Sequence, residues 1–452
     1  MALARAMGKN RSYLEHAKAI AKLGMPLVGS NMAYVIIGST DTLMLGHYSV
    51  EALAAQTIAH SFFFLIFLAG SGFAWAVMPM VASHAEAGQI TELRRVTRMG
   101  IWASVALGIA VMPLLLSGNT VMRWMGQEPE LIPLSKAYLD IVAWGIFPGL
   151  LVMTLRSYLS ALERTQVVMW VTVAVAVLNV GANWLLIYGN LGFPELGIRG
   201  AAIASLTVQV GSLVALAVYI RIVEPTHQLF RRVWRVDWAA LARVLRLGWP
   251  ISATTLAETT LFTASAIMMG WLGTLPLAAH GVAIQLASMA FVIHLGFSNA
   301  VTVHVGQFAE RRDAEALRRE GVASVGLSLF VSAVTIFVFV VFAKALSAIF
   351  IGPDEPQRDA VIAAAAGLLM IAAVFQTFDG LQVIGLGLLR GFQDANVPMI
   401  YATLAYGLIG LPASYILGFT LEYGGQGVWF GLVIGLAVAA VLLIGRYWRR
   451  VR

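Results

Sequence analysis

The sequence predicts an all-α integral membrane protein, with twelve transmembrane helices in two pseudo-symmetric six-helix bundles. Three observations predict it. The 452 residues are 59% hydrophobic and 12% charged, with a mean hydropathy of +0.81, whereas soluble domains carry about twice that share of charge. The chain divides into about twelve apolar runs, each long enough for the ~20 residues that cross a bilayer core. The two halves also repeat one another. Short segments of alternating polarity are absent, which excludes an outer-membrane barrel.

In chain order the runs fall at 19–45, 52–80, 99–117, 135–160, 167–189 and 198–221, then at 244–270, 278–307, 321–350, 360–390, 398–420 and 427–446. The first is too long for a cleaved signal peptide and lacks a small-residue cleavage pattern, so it is expected to stay in the mature chain. Basic residues alternate with the runs. Arg5, Lys9, Arg11, Lys18 and Lys22 mark the N-terminal side, and Arg94, Arg95 and Arg98 separate the second and third runs. Arg221, Arg231, Arg232, Arg235, Arg243 and Arg246 surround the sixth-to-seventh connection. Arg311, Arg312, Arg318 and Arg319 follow the eighth run, and Arg446, Arg449, Arg450 and Arg452 close the chain. With Arg156, Arg164 and Arg390, 25 of the 30 cations fall on one side and 5 on the other. That asymmetry predicts two cytoplasmic termini in a cell inner membrane. It also accounts for the net charge of +7 as topology and attraction to anionic lipid rather than nucleic-acid binding.

The repeat has an offset of 224 residues. Pro26 matches Pro250, Met44 matches Met268, and Leu53-Ala54-Ala55 matches Leu277-Ala278-Ala279. Gly72 matches Gly296, and Leu93-Arg94-Arg95 matches Leu317-Arg318-Arg319. Parallel repeats of six spans imply a pseudo-twofold along the membrane normal. The expected organisation is an N-lobe (1–221), a basic linker (222–243) and a C-lobe (244–452), with a substrate cavity between the lobes.

Three carboxylates lie deep within apolar runs: Asp41, Glu258 and Asp379. An intramembrane charge costs at least ~2.5–3.5 kcal/mol on insertion scales, so each is expected to face a polar cavity, hold a proton or bind a cation. None recurs in the other half: Asp41 aligns with Ser265 and Glu258 with Tyr34 at the offset of 224, and Asp379 aligns with Gly149 at the offset of 230 that follows small insertions. Symmetric residues are scaffold on this reading, and unsymmetric charges are machinery. Asn179 and Asn183, four apart, share one helix face; they either glue helices together or sit beside Asp41 as cation ligands. Glu258 and Asp379 could share a proton or chelate a monovalent cation. Burial disfavours a charged carboxyl, so proton binding near neutral pH is expected. Pro26 and Pro250 each remove a helix hydrogen bond and permit a kink. Tyr34, Gln285, Phe375 and Gln376 are candidate cavity residues. His294 and His304 read as packing histidines, and Asp140 as a wetted acid near a helix end.

Zero cysteines exclude thiolate sites. Gly385-Leu386-Gly387 lies inside a span, and no P-loop or hydrolase motif occurs, so neither ATP-driven pumping nor intramembrane hydrolysis is expected.

Ser39-Thr40-Asp41-Thr42-Leu43-Met44-Leu45-Gly46 resembles the first-helix signature of multidrug and toxic compound extrusion (MATE) transporters. Pro79-Met80-Val81 with Gly88, Met125-Gly126-Gln127, and Gly387-Leu388-Leu389-Arg390-Gly391-Phe392-Gln393-Asp394 fit the same pattern. The resemblance runs over residues 20–445 and is nearest to the NorM-type branch, which has acids in both lobes. It implies a monomeric, cofactor-free exporter of cationic amphipathic drugs that exchanges them for H⁺ or Na⁺ by alternating access. It also implies cation sites at Asp41, Asn179 and Asn183 and at Glu258 and Asp379. NorM-type proteins commonly carry Tyr one turn before the helix 10 acid, where this chain has Phe375. The missing hydroxyl favours H⁺ over Na⁺. The alternatives are a lipid-linked sugar flippase of the wider superfamily, disfavoured because the spans are nearly free of Lys and Arg, and an intramembrane enzyme using Glu258 and Asp379 as an acid–base pair.

Overall fold

A computed structural model describes residues 12–124, 126–352 and 356–451; Arg5, Lys9, Arg11, Met125 and Arg452 lie outside the described residues. Among the described residues there is no strand. The first six long helices are α1 (Tyr13–Tyr48), α2 (Val50–Glu86), α3 (Ile90–Leu116), α4 (Leu131–Ala161), α5 (Thr165–Tyr188) and α6 (Ile198–Val223). The second six are α7 (Trp238–Trp271), α8 (Thr274–Glu310), α9 (Ala314–Ala348), α10 (Arg358–Gly391), α11 (Asn396–Thr420) and α12 (Gly424–Val451). Eleven are long and apolar enough to cross a membrane by length and composition. The exception is α7, whose middle holds Thr254, Thr255, Glu258, Thr259, Thr260, Thr263 and Ser265. The helix that falls short is thus one that carries a carboxylate, Glu258, in its middle.

Local chemistry sets the helix ends. Ser49 alone separates α1 from α2, and its hydroxyl accepts from the Ala52 amide at 3.3 Å. Asp313 Oδ1 caps α9 through the Ala316 amide at 3.0 Å. Gly189 ends α5 in the left-handed region (φ 68°), where a missing Cβ removes the steric penalty. Inside the bundle, small residues permit close approach, as membrane packing requires. A Cβ on Gly435 would lie 2.9 Å from Gly410 Cα, so α11 and α12 touch backbone to backbone there.

The helices form two compact units that cut across the sequence halves. One is Gly29–Ser252; the other is Met1–Val28 with Ala253–Arg452. Both boundaries fall two residues beyond the repeated prolines, Pro26 and Pro250. The repeated glycines explain the exchange. In the first unit, a Cβ on Gly72 would meet Ser252 N at 2.4 Å, and one on Gly248 would meet Phe73 Cδ1 at 2.5 Å. In the second, a Cβ on Gly296 would meet Val28 Cγ2 at 2.4 Å, and one on Gly24 would meet Phe297 Cδ1 at 2.6 Å. Gly72 and Gly296 are repeat partners, so each half seats the start of the other half's first helix by the same device.

Polar contacts fasten both starts. Glu320, fully buried on α9, accepts from His16 Nδ1 of α1 and His304 Nδ1 of α8, each at 2.7 Å. In the first unit, Arg243 of α7 pairs with Glu92 at 3.0 Å, and Asp237 pairs with Arg95 at 2.9 Å.

Candidate functional site

In the Gly29–Ser252 unit, four helices converge on Asp41, which is 6% exposed. Asn179 Nδ2 and Asn183 Nδ2, one turn apart on α5, donate to Asp41 Oδ1 at 3.0 and 2.5 Å. Ser205 Oγ of α6 donates to Asp41 Oδ2 at 2.8 Å. Tyr138 of α4 shares hydrogen bonds with Ser205 and with Gln56 of α2. His60 of α2 lies within electrostatic reach of the carboxylate. Three donors on two oxygens suit an ionised acid. Asn183 Oδ1 is buried without a hydrogen-bond partner, an arrangement that normally calls for a compensating group. Amide and carboxylate oxygens are hard donors, chemically suited to a small cation.

Ser205, Tyr138 and Gln56 escaped the sequence reading. Serine is common in membrane helices as a backbone-bonding residue, so Ser205 carried no distinguishing signal.

In the other unit, Glu258 of α7 is half-buried, and Asp379 of α10 is 2% exposed. The two carboxylates interact electrostatically with each other. Arg390 of α10, buried, and Tyr406 of α11, fully buried, lie within electrostatic reach of Glu258. Tyr406 sits in a widened turn of α11, Leu404–Gly410, bonded i to i+5. Such bulges re-aim side chains and recur at functional sites. Its hydroxyl accepts from Gln382 Nε2. Asp379 Oδ1 and Gln382 Oε1 are both buried without partners. A carboxylate oxygen left in this way is costly unless a proton or cation meets it.

The charge pattern places Arg156 and Arg390 among the cations of the basic side. Instead, Arg390 is buried beside Glu258, and Arg156 of α4 lies half-buried against α1. Arg156 Nη2 donates to Ser30 Oγ at 2.9 Å and Asn31 Oδ1 at 3.1 Å, and its guanidinium covers the Tyr34 ring at 4.7 Å. The spans are therefore not free of arginine. Both residues sit just inside the end of an apolar run, where sequence alone cannot separate an inward guanidinium from one in the headgroups.

Of the remaining candidates, Tyr34 and Gln285 are half-buried. Phe375 is buried edge-on against Phe262 and Trp429, with centroids 6.0 and 5.4 Å away. Gln376 is fully buried and donates to the Ala287 carbonyl at 2.6 Å. His294 bonds Ser328 at 3.2 Å. Asp140 pairs with Lys136 one turn away. Pro26 and Pro250 both lie inside continuous helices. Among the described residues no group of three His, Cys, Asp or Glu side chains could hold a metal.

The family model described as MatE matches residues 26–185 and 250–416, one segment in each repeat. The chain is 42% identical to "Probable multidrug resistance protein NorM" of Rhizobium meliloti (strain 1021), over 98% of this chain and 95% of that one. It is 41% identical to the protein of the same description from Agrobacterium fabrum (strain C58 / ATCC 33970), over 96% and 94%. The fold matches a solved structure described as "Crystal structure of MATE in the straight conformation", with a TM-score of 0.87, 21% identity and 96% of each chain covered.

Proposed function

The chain belongs to the MatE family of membrane transporters, and on that premise we propose that it exports cationic amphipathic drugs in exchange for an inward-moving cation. It is a multi-pass membrane protein and a transporter rather than an enzyme. The drug reading follows the descriptions of its relatives. The coupling reading rests on one observation: Asp379 is buried beside Glu258 with an oxygen that has no hydrogen-bond partner.

Two cation stations are proposed. Asp41 with Asn179 and Asn183 forms one, extended by Ser205; Glu258 with Asp379 forms the other, with Arg390 and Tyr406 as supporting charges. Cation binding and drug binding alternate as the protein opens to one side and then the other, with helix bending at Pro26 and Pro250. Tyr34 and Gln285 belong to the drug path, with Phe375 and Gln376 behind it as packing. The lobes 1–221 and 244–452, the linker 222–243, cytoplasmic termini, an inner-membrane location and a monomeric state complete the proposal. The flippase alternative needs several free cations to hold a pyrophosphate. Arg156 is already engaged by Ser30, Asn31 and Tyr34, and Arg390 faces Glu258, so the drug reading stands ahead of it.

We favour H⁺ over Na⁺. Two carboxyls in mutual reach cannot both stay charged in a low dielectric, and a single proton resolves the conflict. Phe375 faces aromatic rings and supplies no oxygen. In sodium-free vesicles, a proton gradient alone should drive transport of a cationic dye. Movement only under a Na⁺ gradient would instead assign coupling to Na⁺ and point to Asp41, Asn179 and Asn183 as its site.

A further inference from the structure

We propose that an arginine-lined cleft between the start of α3 and the linker preceding α7 binds a phosphate group. The cleft lies wholly within the Gly29–Ser252 unit. Arg94, Arg98, Gln228, Arg231, Arg232 and Arg235 line a cavity of about 320 Å³. An adjoining hollow of about 480 Å³ shares Arg94, Arg98 and Arg235, and Arg95, Asp237 and Trp238 also line it.

The sequence builds this cleft in two steps. Arg94 and Arg98 are four apart on α3, so they share a face. Arg98 then takes hold of the linker: its Nε donates to the Leu229 carbonyl and its Nη2 to the Gln228 carbonyl, both at 2.7 Å. One turn on, Trp102 Nε1 donates to the Val233 carbonyl at 2.7 Å. Between these clamps, Gln228 (φ 45°) and Arg232 (φ 57°) adopt left-handed backbone conformations. Residues other than glycine keep such conformations only where their surroundings enforce them. The folded linker thereby brings Arg231, Arg232 and Arg235 around Arg94 and Arg98.

The gathered charge has no internal counterion. The neighbouring acids are committed elsewhere: Glu92 to Arg95 at 2.6 Å and to Arg243 at 3.0 Å, and Asp237 to Arg95 at 2.9 Å. Among the described residues, none of the five lining arginines makes an ion pair. Arg94 Nε is buried without a hydrogen-bond partner, and Arg94 and Arg98 repel each other. Folding has collected five like charges, and an anion shared among them would relieve the repulsion. The guanidinium fork matches the oxygens of a phosphate.

The second repeat lacks this arrangement. Arg318 is exposed, Arg319 pairs with Glu315 at 2.7 Å, and Val322 stands where the repeat places Arg98. The cleft is therefore not scaffold common to both halves. It lies beside the start of α3, a helix long and apolar enough to cross a membrane, so a phospholipid headgroup is one source of the phosphate and the soluble ion is the other.

The test uses the purified full-length chain in detergent, following the thermal unfolding midpoint. The titrants are short-chain phosphatidylglycerol, short-chain phosphatidylcholine and inorganic phosphate at matched ionic strength. A ligand of the folded state raises the midpoint saturably. Phosphatidylglycerol or phosphate should do so, and phosphatidylcholine should not. A response to phosphatidylglycerol alone assigns the site to a lipid headgroup, whereas a response to inorganic phosphate assigns it to the soluble ion. The pair Arg232→Gln with Arg235→Gln alters exposed linker residues and should weaken apparent affinity by roughly tenfold or more. Arg94→Gln should weaken it independently. The charge-matched pair Arg318→Gln with Arg449→Gln, which does not line the cleft, should leave it within about twofold. The proposal is overturned if neither anion shifts the midpoint, or if the pair outside the cleft loses as much as the cleft pair.

Discussion

Ser205→Ala removes one atom that carries no charge and that only the structure connects to Asp41. Ser205 Oγ donates to Asp41 Oδ2 at 2.8 Å, while the two asparagines serve Oδ1. A hydrogen bond to a charged group contributes about 1.5–3 kcal/mol. Since about 1.4 kcal/mol is tenfold in an equilibrium constant, the ratio of ionised to protonated Asp41 should fall roughly tenfold or more. Any transport step that requires the ionised state slows accordingly. The assay is export of a cationic dye from energised cells, normalised to the amount of protein in the membrane. Ser205→Ala should export at about a tenth of the wild-type rate or less, and Ser205→Thr, which keeps a hydroxyl, should recover most of it. Wild-type export by Ser205→Ala would refute the reasoning. Equal impairment of Ser205→Thr would assign the defect to packing rather than to the lost hydrogen bond.

Two further outcomes follow from the geometry. Gly296→Ala sets a Cβ 2.4 Å from Val28 Cγ2 and 2.8 Å from Val28 N, so it should lower thermal stability by about 1–3 kcal/mol. Gly326→Ala meets nothing within 4 Å and should be neutral or stabilising by about 0.5–1 kcal/mol; indistinguishable unfolding curves would refute the seating role. Arg390→Gln should destabilise by about 1–3 kcal/mol, because it removes a buried cation within electrostatic reach of Glu258. Combining it with Glu258→Gln should restore part of that loss, and strict additivity in the double-mutant cycle would show that the two groups do not interact.

What the sequence made legible divides by range. Twelve spans follow from composition, and even the exception, α7, is explained by its threonines and Glu258. The pairing of Asn179 with Asn183 follows from helical spacing, whereas their contact with Asp41 was one of two readings open to the sequence and rests on the hydrogen bonds in the structure. Ser205, Tyr406 and the inward turn of Arg390 were not legible. A single serine or tyrosine in an apolar run has many ordinary uses, and an arginine near a span end has two possible directions. The exchange of helix starts was also hidden: it depends on contacts such as Gly72 with Ser252, far apart in the chain. The repeat nevertheless recorded both glycines that make the exchange possible.

Cation coupling through the Glu258 and Asp379 carboxyls can be separated from drug recognition by neutral substitutions that preserve shape. Purified Glu258→Gln and Asp379→Asn proteins should bind a cationic dye with near wild-type affinity. In cells, at matched membrane abundance, both should lose nearly all dye export. Wild-type export by either variant would contradict the assignment of the buried carboxyls as the coupling groups.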